Sequence, residues 1–348
     1  MHDTSLMNKC RALRIIFLTV SNRVRASNLY HYLYSMKKNI VAIGGGNGTA
    51  VSVQACKTFL DQISLSAVVS MSDSGGANGK LREETGFLPA SDLMRTTLAF
   101  SNQDPHMLKQ VFYRNRISNV VSKIDGYYIG ILWYTMLQEK GLSFMQAQES
   151  LEQILGAVGH AYPNTLEVAD LCVKFVNGET VKTEGAIDRP SERDSRIAKA
   201  WLEPKANLFE GATKAIEEAD VILFGPGSLY CSIVATLLVD GMKEALQTST
   251  AKLIYVVGNA YETIGEAGPT QLSDFIIELE QYLPRKLDTL IYNNHTLTSY
   301  EQSRYAEKQW SLIVSDTDDE RVISGDYERS GGGLDPEKLG SLLKGIIF

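Results

Sequence analysis

The chain has 348 residues, 44% of them hydrophobic and 22% charged, with a formal net charge of −7. That length and composition suit one large or two modest globular domains. The acidic balance excludes a general polyanion binder, whose affinity comes from clustered lysine and arginine, so nucleic acid is not an expected partner. A small phosphorylated ligand, which needs only a local cradle, is not excluded.

Residues 1–35 carry Lys9, Arg11, Arg14, Arg23 and Arg25 against Asp3 alone. This basic, acid-poor extension reads either as an organelle presequence or as sequence ahead of a natural start at Met36. The second reading is preferred, and fold reasoning begins at Met36. Cys10, Cys56, Cys172 and Cys231 show no Cys-x-x-Cys or metal-ligand spacing. The five histidines, His2, His31, His106, His160 and His295, are scattered. Buried thiols in a cytoplasmic, reducing setting are expected, with no zinc site.

Asn39–Ile43 is an apolar run that ends at Gly44-Gly45-Gly46-Asn47-Gly48. A helix over Thr49–Leu60 and a second strand over Leu65–Met71 complete a βαβ unit, expected parallel and right-handed. The glycines let a phosphate approach backbone N–H groups at the positive end of a helix. A tight turn alone would also want glycine here. The pattern is neither a dinucleotide fingerprint nor a P-loop.

Ser72–Glu83, "SDSGGANGKLRE", follows the second strand. Asp73 suits a divalent ion or a sugar hydroxyl. Ser74 adds a hydroxyl, and Gly75, Gly76 and Gly79 permit close backbone approach. Lys80 and Arg82 would balance phosphate charge. The competing reading is a solvated loop with both cations paired to Glu83 and Glu84.

From Ser91 to Gly156 the pattern is helical. Ser91 or Asp92 would cap the first helix, and Asp92 and Arg95 stand one turn apart. Gly126–Gly141 reads as an apolar helix, and the amphipathic stretch to Gly156 as another. Asn177-Gly178 between two alternating runs signals a β-hairpin, with a further strand stopped by Pro204. A helix over Asn207–Glu218 and a strand over Asp220–Phe224 follow.

Val221–Val239 holds 19 residues without a charge, but Gly225-Pro226-Gly227-Ser228 interrupts it, so no membrane span is expected. A helix over Ile233–Leu246 should follow. A strand over Lys252–Val257 then runs into a loop bearing Asn259. A helix over Gln271–Tyr282 and a strand over Leu287–Tyr292 follow. Glu328–Leu339 reads as a flexible hinge before a terminal helix. Ligand loops at successive strand ends should converge on one cleft. His106 and His160 are expected to be structural, and no nucleophile elbow is present.

The motifs "VAIGGGNGTAV", "VVSMSDSGGANGKLREETGFLPASDLMR", "ADVILFGPGSLYCSIVATLLVDGMKEAL" and "YVVGNAYETIGE" resemble, in this order, the YvcK-like gluconeogenesis (morphogenesis) factors. These share a superfamily with the CofD-type 2-phospho-L-lactate transferases. The resemblance runs from about Lys37 to Leu283. It implies a Rossmann-like three-layer α/β/α domain over 36–325 with a β-hairpin excursion, and a linker and helix over 326–348.

The YvcK-like branch implies binding of UDP-sugars, typically UDP-N-acetylglucosamine, with influence on cell shape and carbon metabolism. The transferase branch implies movement of a phospholactyl group from a guanosine-diphosphate-activated donor, with magnesium. A nucleoside diphosphate is common to both, and a homo-oligomer is compatible with either.

Carried over by position, Gly44–Gly48, Asp73, Ser74, Gly75, Gly76, Gly79, Lys80, Arg82, Asp92, Arg95, Gly225, Gly227, Ser228 and Asn259 would form the ligand site. Asp73 would be catalytic in a transferase, and Asp73 with Asp92 would hold magnesium. Asn47 replaces a usual threonine, and Ser74 replaces a second acidic residue. Tyr127 and Ile131 stand where the family has histidine and asparagine. The missing carboxylate at Ser74 favours binding over catalysis.

Overall fold

The computed structural model describes residues 37–118, 126–189 and 195–348. The basic extension and Cys10 therefore lie outside the described residues.

The core is a seven-stranded sheet in the order β12-β10-β8-β7-β1-β2-β3. β1 is Lys38–Gly44, β2 Ile63–Val69 and β3 His160–Pro163. β7 is Val221–Phe224, β8 Lys252–Val256, β10 Thr289–Asn293 and β12 Val322–Gly325. All neighbours pair parallel, so every carboxyl end lies on one edge. Both faces must then be covered, which explains why the central strands are nearly unbroken apolar runs.

Alternation splits those runs between two cores. Val41, Ile43, Ile222, Phe224 and Leu253 pack on one face. Ile40, Ala42, Val221, Leu223 and Ile254 pack on the other. Helices α1 (Gly46–Lys57), α3 (Ser91–Phe100), α5 (Ile129–Glu139), α6 (Phe144–Leu155) and α13 (Pro336–Ile347) bury residues in the second core. Helices α8 (Glu210–Glu217), α10 (Met242–Thr248) and α11 (Leu272–Glu280) supply the first. The result is a three-layer α/β/α fold.

An antiparallel three-stranded sheet, β5-β4-β6, adds to the first core. β4 (Asp170–Phe175) and β5 (Thr180–Lys182) flank Asn177-Gly178, as the sequence predicts, and β6 is Ile197–Glu203. The short helix α7 (Glu184–Ile187) hangs from this excursion. The pair β9 (Ala260–Glu262) and β11 (Trp310–Leu312) was not legible in the sequence.

Several expectations need correction. α1 begins at Gly46 rather than Thr49, so Gly46, Asn47 and Gly48 form its first turn. α2 spans Gly76–Thr85, so Lys80 and Arg82 belong to a helix, not a loop. α3 is capped by the backbone at Ala90, because the Ser91 hydroxyl bonds the Tyr128 hydroxyl and Asp92 pairs with Arg95. The single helix expected over Ile233–Leu246 is divided into a π-turn (Leu229–Val234), α9 (Ala235–Leu237) and α10, because Gly241 takes a left-handed φ of 96°. Finally, Glu328–Leu334 is a folded turn tied to Asn259, Asn293 and Tyr305, the last on α12 (Ser299–Glu307), rather than a free hinge.

Candidate functional site

Strand order reverses between β1 and β7, so the chains leaving these two strands diverge and open a crevice. The crevice is a cleft of about 1200 Å³. Its floor is the glycine turn after β1. Asp92 presses on one side of it: a Cβ at Gly46 would lie 2.5 Å from Asp92 Oδ1 and 2.8 Å from its Cα. Pro226 presses on the other: a Cβ at Gly48 would stand 1.7 Å from the Pro226 carbonyl oxygen. The Ser52 hydroxyl of α1 donates to the Gly225 carbonyl at 2.6 Å, and the Thr236 hydroxyl of α9 to the Gly44 carbonyl at 3.1 Å. The two loops at the switch point are thus stitched to each other's helices.

Two helices point their amino ends into the cleft. α1 starts after Gly45 and α2 after Gly75. Neither has a side-chain cap or an acid in its first turn. Their N–H groups and partial positive charge are therefore available to an anion. The π-turn after β7 differs, because the Glu266 carboxylate accepts from the Tyr230 and Cys231 N–H groups. Burial raises the pKa of Glu266.

Asp73 lies between the helix ends. Its Oδ1 accepts from the Gly75 N–H at 2.9 Å and its Oδ2 from Asn78. Burial, then the charge of Asp92, raises its pKa. Glu184 of α7 is raised too, by burial and then by Asp73, Asp188 and Asp92. The Ser74 hydroxyl accepts from the Gly185 N–H at 3.1 Å and so fastens the loop to α7.

Arg95 is the cation at the acidic floor. It pairs with Asp92 at 3.0 Å and stacks 4.3 Å from the Tyr113 ring, while its buried Nε has no partner among the described residues. Asp92 raises the Arg95 pKa against the opposing effect of burial. Lys109, Arg114, Arg116, Arg189 and Arg329 add positive charge to the cleft wall. The pKa of Lys109 is lowered by burial and by Arg329, Arg114 and Arg95, a sign that these charges crowd together. The far end carries Tyr261, Trp310 and Ile313 beside Asn259.

Of the residues singled out in the sequence, Gly46, Asn47, Gly48, Asp73, Ser74, Gly75, Gly76, Asp92, Arg95, Gly227, Ser228 and Asn259 line this cleft together. Gly44, Gly45 and Gly225 stand behind it, and Gly79 packs against the Ser74 carbonyl. Lys80 and Arg82 do not line it. The Lys80 ammonium sits 5.1 Å from the centre of the Tyr127 ring, and Arg82 pairs with Asp170 at 2.7 Å. Both follow from the helical phase of α2, which turns Lys80 toward Tyr127 and Arg82 toward β4.

Tyr127 and Ile131 are core residues, with the Tyr127 hydroxyl on Glu84 at 2.9 Å; the cleft receives Tyr128 instead. His160 bonds Glu152 and His106 is exposed, both away from the cleft. The wall cations and the acids Glu184, Asp188, Glu262 and Glu266 escaped sequence reasoning. The basic run Tyr113-Arg114-Asn115-Arg116 was the one signal available for them.

Asp73 and Asp92 bring two carboxylates to the cleft, and a magnesium ion is usually held by one or two carboxylates, waters and a ligand's phosphates rather than by an all-protein cage. Both oxygens of Asp73 accept protein hydrogen bonds, and Oδ1 of Asp92 is held by Arg95. Among the described residues no group of three or more His, Cys, Asp or Glu could hold a metal ion. No helix there is long and apolar enough to cross a membrane.

Residues 40–326 match the family described as "2-phospho-L-lactate transferase CofD". The chain is 32% identical over 279 residues to a Thermotoga maritima protein named "Putative gluconeogenesis factor", covering 80% of this chain and 86% of that one. It is 31% identical over 263 residues to the "Gluconeogenesis factor" of Listeria innocua, covering 75% and 79%. A crystal structure from Bacillus halodurans, of a member of the upf0052 family, superposes with a TM-score of 0.79 at 25% identity, covering 88% of this chain and 99% of that one.

Proposed function

The chain belongs to the CofD family and within it to the gluconeogenesis factors, and from that premise we propose that it binds a nucleoside diphosphate sugar as a regulatory protein. One observation carries this reading. Two uncapped helix ends and the Arg95 guanidinium meet in one cleft, a match for the two phosphoryl groups of a diphosphate. The Tyr261 and Trp310 end suits a nucleobase, and Asp73 and Asp92 suit the hydroxyls of a sugar. UDP-N-acetylglucosamine is the ligand proposed. Isothermal titration of the full chain with it should show saturable heat at one site. No heat with any uridine or guanosine diphosphate ligand would overturn the reading.

A second reading is transfer of a phospholactyl group from a guanosine-diphosphate-activated donor. It is favoured by the Asp73 carboxyl, whose raised pKa suits proton exchange in the cleft. Asp73→Ala would then abolish turnover while nucleotide binding survives. Ser74 stands where the resemblance implies a second acid, and binding is the reading preferred.

A further inference from the structure

Behind the aromatic end of the cleft lies a buried carboxylate. Glu328 is 4% exposed and forms no ion pair among the described residues. Its charge is met by neutral donors. Oε1 accepts from the Tyr305 hydroxyl at 2.9 Å and the Gly333 N–H at 3.1 Å. Oε2 accepts from Asn259 Nδ2 at 2.6 Å and Asn293 Nδ2 at 2.8 Å. The second N–H of Asn259 goes to the Tyr305 hydroxyl oxygen, whose own proton is already given to Glu328. Both N–H groups of Asn259 and the Tyr305 hydroxyl proton thus have acceptors.

The arrangement settles which way the Asn259 amide faces. Turned over, it would aim its oxygen at the Glu328 carboxylate, a repulsion that no ion pair on Glu328 relieves among the described residues. Both N–H groups of Asn259 therefore point inward. Its Oδ1 accepts nothing among the described residues and is not a sealed, unpartnered atom, and the residue lines the cleft. A ligand at this end meets an acceptor and cannot meet a donor from this side chain.

We infer that Glu328 is a positioning residue that fixes Asn259 as a hydrogen-bond acceptor toward the cleft. This acceptor selects a nucleobase with a ring N–H on its pairing edge, as in uracil and guanine. Cytosine and adenine carry a ring acceptor there and must shift to offer their neighbouring exocyclic amino donor instead, which disfavours them. The inference rests on the nucleotide reading above and adds the device that chooses the base. Ribose hydroxyls both donate and accept, so contact with them would give no such choice. An acceptor facing an acceptor leaves two buried lone pairs opposed, whereas an N–H there is satisfied.

Titration of the full chain with UDP and with CDP tests it, in wild type, Glu328→Gln and Asn259→Ala. Wild type should prefer UDP by about ten-fold or more. In Glu328→Gln the amide has too few lone pairs for the surrounding donors, Asn259 is released to turn over, and the UDP/CDP ratio should fall toward or below one. In Asn259→Ala the ratio should approach one while both diphosphates still bind. A purely structural loss would weaken both ligands alike and leave the ratio unchanged. If Glu328→Gln fails to fold, Asn259→Ala decides: a ratio equal to that of wild type overturns the inference. Equal binding of UDP and CDP by wild type also overturns it, yet leaves the proposed function standing. Binding of neither overturns both.

Discussion

Among the side chains of the cleft, Glu184 gives the sharpest pH signature. Its pKa is raised above the ordinary 4.5 by burial and by the charges of Asp73, Asp188 and Asp92. A raised carboxyl favours its protonated form in the folded chain, so its contribution is fully present below pH 4.5 and is lost as pH rises through the folded value. An incoming diphosphate disfavours the ionised form further, so binding takes up protons. Diphosphate affinity should therefore be level through the acidic range and weaken as pH rises through about 8, the value to which the Glu184 carboxyl is raised. Glu184→Gln should flatten that profile and strengthen binding at pH 9 by several-fold while changing it little at pH 6, measured by titration at a series of pH values. Glu184 was not legible in the sequence, because it reaches Asp73 only through the fold of the hairpin excursion. Asp73, Asp92 and Arg95 were legible, since each lies within a few residues of a strand end or helix start. Lys80 and Arg82 were misplaced because a Ser- and Gly-rich spelling hid a helix starting at Gly76, whose phase carries both cations away.

The elements that sequence reasoning located best are the buried strands, whose apolar runs are bounded by glycine. β3 and β12, the outermost strands, are four residues each and lack that signature, so they emerged only from the sheet. The same holds for β9 and β11, which pair across nearly fifty intervening residues. The terminal helix α13 was expected, though not its role. Asp335 accepts from the Glu337 and Lys338 N–H groups and caps it, and Leu339, Leu343 and Ile347 enter the second core. Gly340 meets α1 so closely that a Cβ would lie 2.5 Å from the Ala55 carbonyl oxygen. The helix that opens the cleft is thus braced by the last element of the chain. Asp335→Ala should lower unfolding stability by about 1 kcal/mol in chemical denaturation.

At the scale of the molecule, the cleft gathers loops from both halves of the sheet, β1 and β2 on one side of the switch point and β7 and β8 on the other. A ligand there bridges the two. UDP-N-acetylglucosamine at one hundred times its dissociation constant should add about 2.7 kcal/mol to stability. It should raise the melting temperature by several degrees, read in a thermal melt. Hydrogen exchange should slow at residues 45–48 and 74–78 and at residues 226–229 together, and hardly at α13. An unchanged melt at that excess would contradict binding across the switch point.

The wedging of the glycine turn between Asp92 and Pro226 also shapes how this protein could change over generations. Any side chain at Gly46 or Gly48 must displace backbone or a buried carboxylate, so those codons have almost no freedom. The aromatic end has no such constraint: Tyr261 and Trp310 are partly exposed side chains on a short two-stranded ribbon. A laboratory selection for new ligands should therefore collect its substitutions around Tyr261, Trp310 and Arg329, while the diphosphate end stays as it is. One half of the cleft is inheritance, and the other is available for retuning.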